Sequence, residues 1–406
     1  MATTPLRTST ASGAEMLAEN ADPSVPSTSK ARLHLPYLDG IRALMALYIM
    51  HVHLLLALGV KADPPHLSFS ELLMPFFQGH DAVVVFIVLS GYCLMLPVVR
   101  DGGTLRGGIA TFFKRRARRI LPPYYAALFS SALVTVAIAY LTHLFPLPVE
   151  ITSPKRWLLH LLLLHNLSWQ HIYEYTPPLW SIATEWQIYF FFPLVFLPVW
   201  RKWNNGALIG VAAITGLTLT VLFPSIALAC PWFVFLFALG MLAAKWSLHP
   251  SPSLRKIPWM TIALALTLLT YLALRFVPAV QWVWPDRHGR LGLFPLPDIS
   301  FGVAMLCFLM HGTLATLEER PSKFVRAFTW RPLVFLGSFS YSFYLIHETL
   351  QSVALQLFHP FHLPPLQLYG IMMILYVPLA IALAYVFYLV FEKPFLGTRQ
   401  TLKRGV

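Results

Sequence analysis

From about residue 35 onward, long apolar runs alternate with short polar connections. The runs at 207–229 and 368–391 carry no charge and exceed 20 residues. Each is long enough to cross about 30 Å of hydrocarbon as a helix. A membrane β-barrel would instead show segments of about ten alternating residues, and that pattern is absent. The pattern predicts ten spans, near 38–60, 78–98, 122–145, 179–200, 207–229, 231–246, 258–277, 298–317, 333–358 and 368–391. Pro122-Pro123 is expected to open the third of them, where missing N–H donors cost little. The apolar stretch 156–167 is only about a dozen residues, which suits a re-entrant or interfacial helix better than a span. The expected fold is all-α, a polytopic membrane bundle.

Composition narrows the class. The 406 residues are 57% hydrophobic and 12% charged, with a mean hydropathy of +0.63. Soluble domains carry about 25% charged residues, so an ordinary cytosolic enzyme is excluded. The net charge of +13 does not point to nucleic acid, because the basic residues sit in short loops between spans. With ten spans and both termini cytoplasmic, only Lys61, Lys155, Arg156, Arg287 and Arg290 fall outside, while Arg42 and Arg275 lie within spans. An eleventh span at 156–167 would put most of the later basic residues outside, against the positive-inside rule. Trp180, Trp186, Trp282 and Trp284 suit an outer interfacial belt. Cys93, Cys230 and Cys307 show neither paired nor metal-ligand spacing, so no disulfide framework or metal site is expected. Residues 1–33, rich in Ser, Thr, Ala and Pro, read as a disordered cytoplasmic tail. The membrane domain is expected over 34–395, with a second cytoplasmic tail over 396–406.

Within the first span, Arg42 and His53 stand eleven residues apart. At about 100° per residue that is three turns plus about 20°, so both side chains share one face, separated by a rise of ~16 Å. His51 lies about 180° from Arg42 by the same count. Ionisable groups inside a bilayer are costly, which makes the aligned pair a functional candidate, although headgroup anchoring and interhelical bonding would also account for it. Lys114-Arg115-Arg116-Ala117-Arg118-Arg119, leading to Tyr124, is a topology anchor or a phosphate site; forked guanidiniums suit the second. Ser181, Glu185 and Tyr189 fall on one helical face, as do Ser340, Tyr344 and His347. Glu185 is either paired for structure or aimed at a substrate hydroxyl, and interhelical hydrogen bonding alone would explain the second stripe. Gly79-His80-Asp81 leads into Ser90-Gly91, where packing is the expected role. Asn166-Leu167-Ser168 matches a glycosylation sequon but lies close to the membrane.

Taken together, these segments resemble the acyltransferase-3 family of integral membrane acyltransferases from about Leu35 to Phe395. Leu38-Asp39-Gly40-Ile41-Arg42 with His53 is similar to the family's first-helix signature, and Phe86-Ile87-Val88-Leu89-Ser90-Gly91 to its second-helix motif. Arg115-Arg116, Arg119, Pro122 and Tyr124 resemble its basic loop. Trp180-Ser181, Glu185, Tyr189 and Pro193, then Ser340-Tyr341, Tyr344-Leu345 and His347, then Glu392-Lys393-Pro394-Phe395 follow in family order. The polar Gly79-His80-Asp81 departs from the apolar, Phe-rich stretch usual there. The compact layout looks most like fungal members, some of which decorate terpenoid or polyketide-derived products.

The resemblance implies an enzyme that moves an acyl group, most often acetyl, from acyl-CoA to a hydroxyl. Acetyl-CoA is then a co-substrate rather than a tightly bound cofactor, and the acceptor is expected to be a lipophilic small molecule. It implies a catalytic set of His53, Arg42, Glu185 and His347, with His53 as base. It also implies a donor set of Arg42, Lys114, Arg115, Arg116, Arg119 and Tyr124. A covalent acyl-His53 intermediate and direct transfer in a ternary complex both remain open. The expected location is an endomembrane such as the endoplasmic reticulum. Competing readings are a transporter or export permease for an acylated or acidic product, a carbohydrate acyltransferase, and a silent membrane scaffold.

Overall fold

The computed structural model describes residues 33–59, 79–143, 147–276 and 295–396. Among these every regular element is helical, and Leu35–Val406 forms one compact unit. The expected tails, Trp282, Trp284 and the basic residues Lys61, Arg287 and Arg290 lie outside the described residues.

Eleven helices matter here. They are α1 (Pro36–Ala57), α2 (Gly79–Arg100), α3 (Gly108–Leu141), α4 (Pro154–Leu161), α5 (Leu179–Lys202), α6 (Asn205–Leu222), α7 (Phe233–Leu248), α8 (Trp259–Phe276), α9 (Pro295–Leu317), α10 (Ser340–Phe358) and α11 (Pro365–Phe395). Eight stretches among the described residues are long and apolar enough to cross a membrane: α1, α2, α3, α5, α6, Pro224–Leu248, α9 and α11. The chain is a polytopic helical membrane protein. Helices α8 and α10 occupy the two other expected spans. Helix α10 is less apolar because Ser340, Ser342, His347, Glu348 and Gln351 interrupt it.

Two expectations are corrected. Helix α3 starts at Gly108, fourteen residues before the expected span, and Pro122 and Pro123 lie inside it. Membrane helices tolerate such prolines because neighbours re-satisfy the freed backbone groups. Trp180 is 7% exposed and stacks on His80 with ring centroids 5.9 Å apart, so it belongs to the interior rather than to an interfacial belt.

The centre is the crossing of α2 and α7. A Cβ on Gly91 would overlap the Phe237 carbonyl oxygen, and one on Gly240 would overlap that of Val88. Glycine at both positions lets the two backbones touch, as small residues do at membrane helix interfaces. In Pro224–Leu248, 89% of the apolar window is buried, against 22% in α6, so one is the hub and the other faces lipid.

Between α3 and α5 the chain does not span. Val149–Thr152, α4 and a turn at His165–Leu167 form a short segment outside the spans. The eight residues of α4 rise only ~12 Å. The His160 and His165 rings stack with centroids 4.1 Å apart and planes 11° apart, both fully buried. Asn166 is buried as well, donating to Thr184 Oγ1 at 2.9 Å and accepting from Gln187 Nε2 at 2.8 Å. The sequon is therefore closed to modification in this fold.

Candidate active site

Helix α1 carries Arg42 and His53 to the same side, and His51 to the other. His51 meets the Tyr369 hydroxyl of α11 at 3.2 Å. Arg42 is held by a 2.6 Å ion pair to Asp39, one turn earlier, and donates to Cys93 Sγ of α2 at 3.0 Å. Gly337 fixes this end of α1, since a Cβ there would overlap the Asp39 carbonyl.

Arg42 opens onto a cavity of about 120 Å³, room for several waters or a slender chain. On α2 its lining runs from Leu94 to Val83, a length of ~16 Å. Helix α3 contributes Arg116 and Arg119, α5 contributes Ser181, Glu185 and Tyr189, α10 contributes Ser340 and Tyr344, and α11 contributes Glu392. The Tyr189 hydroxyl donates to Glu185 Oε1 at 2.5 Å and lies 3.0 Å from Ser90 Oγ. Ser342, just behind the lining, donates to Glu392 Oε2 at 2.6 Å. Three guanidiniums thus share the cavity with Asp39, Glu185 and Glu392.

The structure sorts the basic cluster by helical face. Arg116 and Arg119, three apart, face the cavity, whereas Lys114, Arg115 and Arg118 are exposed. Arg115 donates to the Arg106 carbonyl at 3.0 Å. Tyr124 does not line the cavity; it is buried, and its hydroxyl donates to the His160 carbonyl at 2.9 Å, tying α3 to α4. Of the six residues expected to hold the donor, Arg42, Arg116 and Arg119 line the cavity, while Lys114, Arg115 and Tyr124 do not.

At the other end of the cavity, the Tyr344 hydroxyl contacts Ser181 Oγ at 2.6 Å, and its ring meets Phe86 edge-on at 5.9 Å. One turn further along α10 lies the histidine pair. His347 Nδ1 is 2.7 Å from the Tyr344 carbonyl, which can only accept, so Nδ1 carries the proton and Nε2 is a bare lone pair. His53 Nδ1 lies 3.0 Å from that lone pair and must donate to it. The His53 proton is thereby assigned to Nδ1, leaving Nε2 free to accept. Glu348 Oε2 sits 3.3 Å from the same Nδ1, and Gln351 Nε2 donates to the His53 carbonyl at 3.1 Å. Gly79 packs near this ring, and a Cβ there would stand 3.7 Å from Nε2.

Neither Glu348 nor Gln351 was singled out by the sequence patterns. Glu348 stands eight residues after Ser340, so extending the Ser340–Tyr344 face by one more turn would have reached it. The polar departure at His80 also has an explanation. His80 Nε2 lies 2.9 Å from Asp298 Oδ2, and Trp232 Nε1 donates to the same oxygen at 2.7 Å. That buried group joins α2, α9 and the segment preceding α7. His53, His347 and Glu348 alone among the described residues bring three metal-capable ligand atoms together, all within 4.8 Å.

Comparison with known proteins agrees with this layout. The profile of a family described as an acyltransferase domain matches residues 35–389. The chain belongs to this family. Among characterised relatives, it is 24% identical over 382 residues to the peptidoglycan O-acetyltransferase OatA of Listeria monocytogenes serovar 1/2a. The match covers 82% of this chain but 52% of that protein, so the chain spans about half the length of the curated relative it matches. No solved structure matches it.

Proposed function

We propose that the protein is a membrane O-acyltransferase that moves an acyl group, with acetyl expected, from an acyl-CoA to a hydroxyl. The observation that carries this reading is His53. Its proton is committed to His347, its Nε2 keeps a lone pair, and it stands ~16 Å along α1 from a guanidinium cluster. A pantetheine arm is a slender chain of comparable reach. Its phosphates would bind at Arg42, Arg116 and Arg119, and its thioester would come to the Tyr344 end, beside His53. The phosphates must compete there with Asp39, Glu185 and Glu392, so donor binding exchanges partners rather than filling a bare positive site.

In this mechanism the acceptor oxygen attacks the thioester carbonyl as His53 Nε2 takes the hydroxyl proton. A positioned base typically contributes about 10²–10⁴-fold. The imidazolium formed keeps its Nδ1 proton on His347 and is stabilised by the Glu348 carboxylate. Collapse of the tetrahedral adduct expels the CoA thiolate, which recovers the proton from Nε2. The acceptor we favour is a lipophilic small molecule of terpenoid or polyketide type, in an endomembrane. A carbohydrate hydroxyl is the second reading, favoured by the relative's action on peptidoglycan.

The test is transfer from labelled acetyl-CoA in membranes carrying the protein. His53→Ala is expected to lose roughly 100-fold or more, with His51→Ala near wild type. Equal losses at both histidines would mean damage to the fold and would defeat the assignment. Uptake of substrate into vesicles without any acyl donor would favour a transporter instead.

A further inference from the structure

We infer that His53, His347 and Glu348 form a binding site for one zinc-class divalent cation, and that the bound cation switches the enzyme off by reversing the His53 tautomer. Two imidazoles and one carboxylate are a zinc ligand set that leaves a fourth position for water. The three ligand atoms lie within 4.8 Å of one another. Zn–N bonds of about 2.0–2.1 Å at a tetrahedral angle place the ligand atoms about 3.3 Å apart. The His53–Glu348 separation is 3.3 Å already, His53–His347, at 3.0 Å, has to open by about 0.3 Å, and His347–Glu348, within 4.8 Å, has to close by up to about 1.5 Å.

Two further features fit a cation. Glu348 Oε2 is buried yet receives no hydrogen bond, because the one Nδ1 proton of His53 goes to His347. His347 donates its other nitrogen to a backbone carbonyl, the outer contact that orients histidine ligands in metal sites. The side chains of His53 and Glu348 are 21% and 23% exposed, so an ion can reach them.

The consequence for chemistry follows from proton count. A neutral imidazole has one N–H. Without the ion that proton is on Nδ1, and Nε2 is the base. An ion bound at Nδ1 moves the proton to Nε2, turning the acceptor into a donor, and no proton is gained or lost. The ring stays in place but cannot take a proton from an alcohol. Binding stands on geometry alone, whereas the inhibition rests on the acyl-transfer reading.

The test uses the purified full-length protein in detergent, titrated with Co²⁺ as a visible probe and then with Zn²⁺ as competitor. One equivalent of Co²⁺ with tetrahedral absorption is expected, displaced by Zn²⁺. His53→Ala and the shape-conserving Glu348→Gln should each weaken binding roughly 10–100-fold, while His51→Ala leaves it unchanged. Acetyl transfer should stop at about one equivalent of Zn²⁺ and return with a chelator. No absorption band, or equal binding in all variants, would overturn the site. Transfer that is lost to a chelator and restored by metal would overturn the inhibition. Stoichiometric binding in a protein that transfers no acyl group from any donor would leave the site standing and remove the enzyme reading instead.

Discussion

Two of the histidine pairs among the described residues are built oppositely. His53 and His347 are joined nitrogen to nitrogen at 3.0 Å, beside a carboxylate and with His53 partly exposed. His160 and His165 lie face to face at 4.1 Å and are fully buried. Burial lowers the pKa of both of these rings, that of His165 well below the usual histidine range, and each ring's neighbours include a further histidine. Proximity is common to both pairs. What differs is a hydrogen bond from ring to ring and partial exposure, and of the two only the α1–α10 pair has them.

The strongest way to break the contrast is to remove one ring from each pair. His53→Ala is expected to cost about 100-fold or more in acetyl transfer, and His165→Phe, which keeps an aromatic ring in the stack, less than about threefold. Comparable losses would erase the distinction. Next in size is His347→Ala. It removes the acceptor that holds the His53 proton on Nδ1, so a drop of roughly 10–100-fold in kcat with little change in donor KM is expected.

Arg119→Ala tests the far end of the same cavity. It should raise the donor KM by about tenfold and leave kcat within about threefold, as expected when a charge-assisted phosphate contact acts on binding. A pure kcat effect would contradict a donor role. The smallest expected effect belongs to the His160–His165 pair. Around it stand Arg156, His171 and Glu174, the first two both paired to Glu174, with the Tyr175 ring against His160. Burial favours the neutral rings, so their contribution is complete above the unfolded value near pH 6.5 and is lost as pH falls below it. Amide exchange across residues 154–167 should therefore quicken, after correction for intrinsic rates, between about pH 6.5 and 5. Exchange that slows on acidification would have the wrong sign.

Helical periodicity made much of this site legible. It placed Arg42 and His53 on one face and His51 on another, and it aligned Ser181, Glu185 and Tyr189, all of which line the cavity. The pairing of His53 with His347 was not available from spacing, because 294 residues separate them and only the bundle brings them together. The sorting of the basic cluster was not available from spacing, because Arg115 lies about 40° from Arg119 and Arg116 about 60°, so only the packing of α3 separates them. Pro122-Pro123 misled, because the rule that prolines open helices is weaker where neighbouring helices satisfy the loosened backbone. Tyr124 followed from its place after that cluster, yet one turn of helix is enough to take its hydroxyl to α4.

The glycine crossing of α2 and α7 sets how this molecule can breathe. Where two main chains touch without intervening side chains, neither helix can slide or roll without collision, so that seam is the keel of the bundle. Any widening of the cavity has to come from its other walls, to which α3, α10 and α11 contribute side chains. Bulk added at Gly91 would unseat the whole hull, whereas bulk added along those walls would only narrow the hatch.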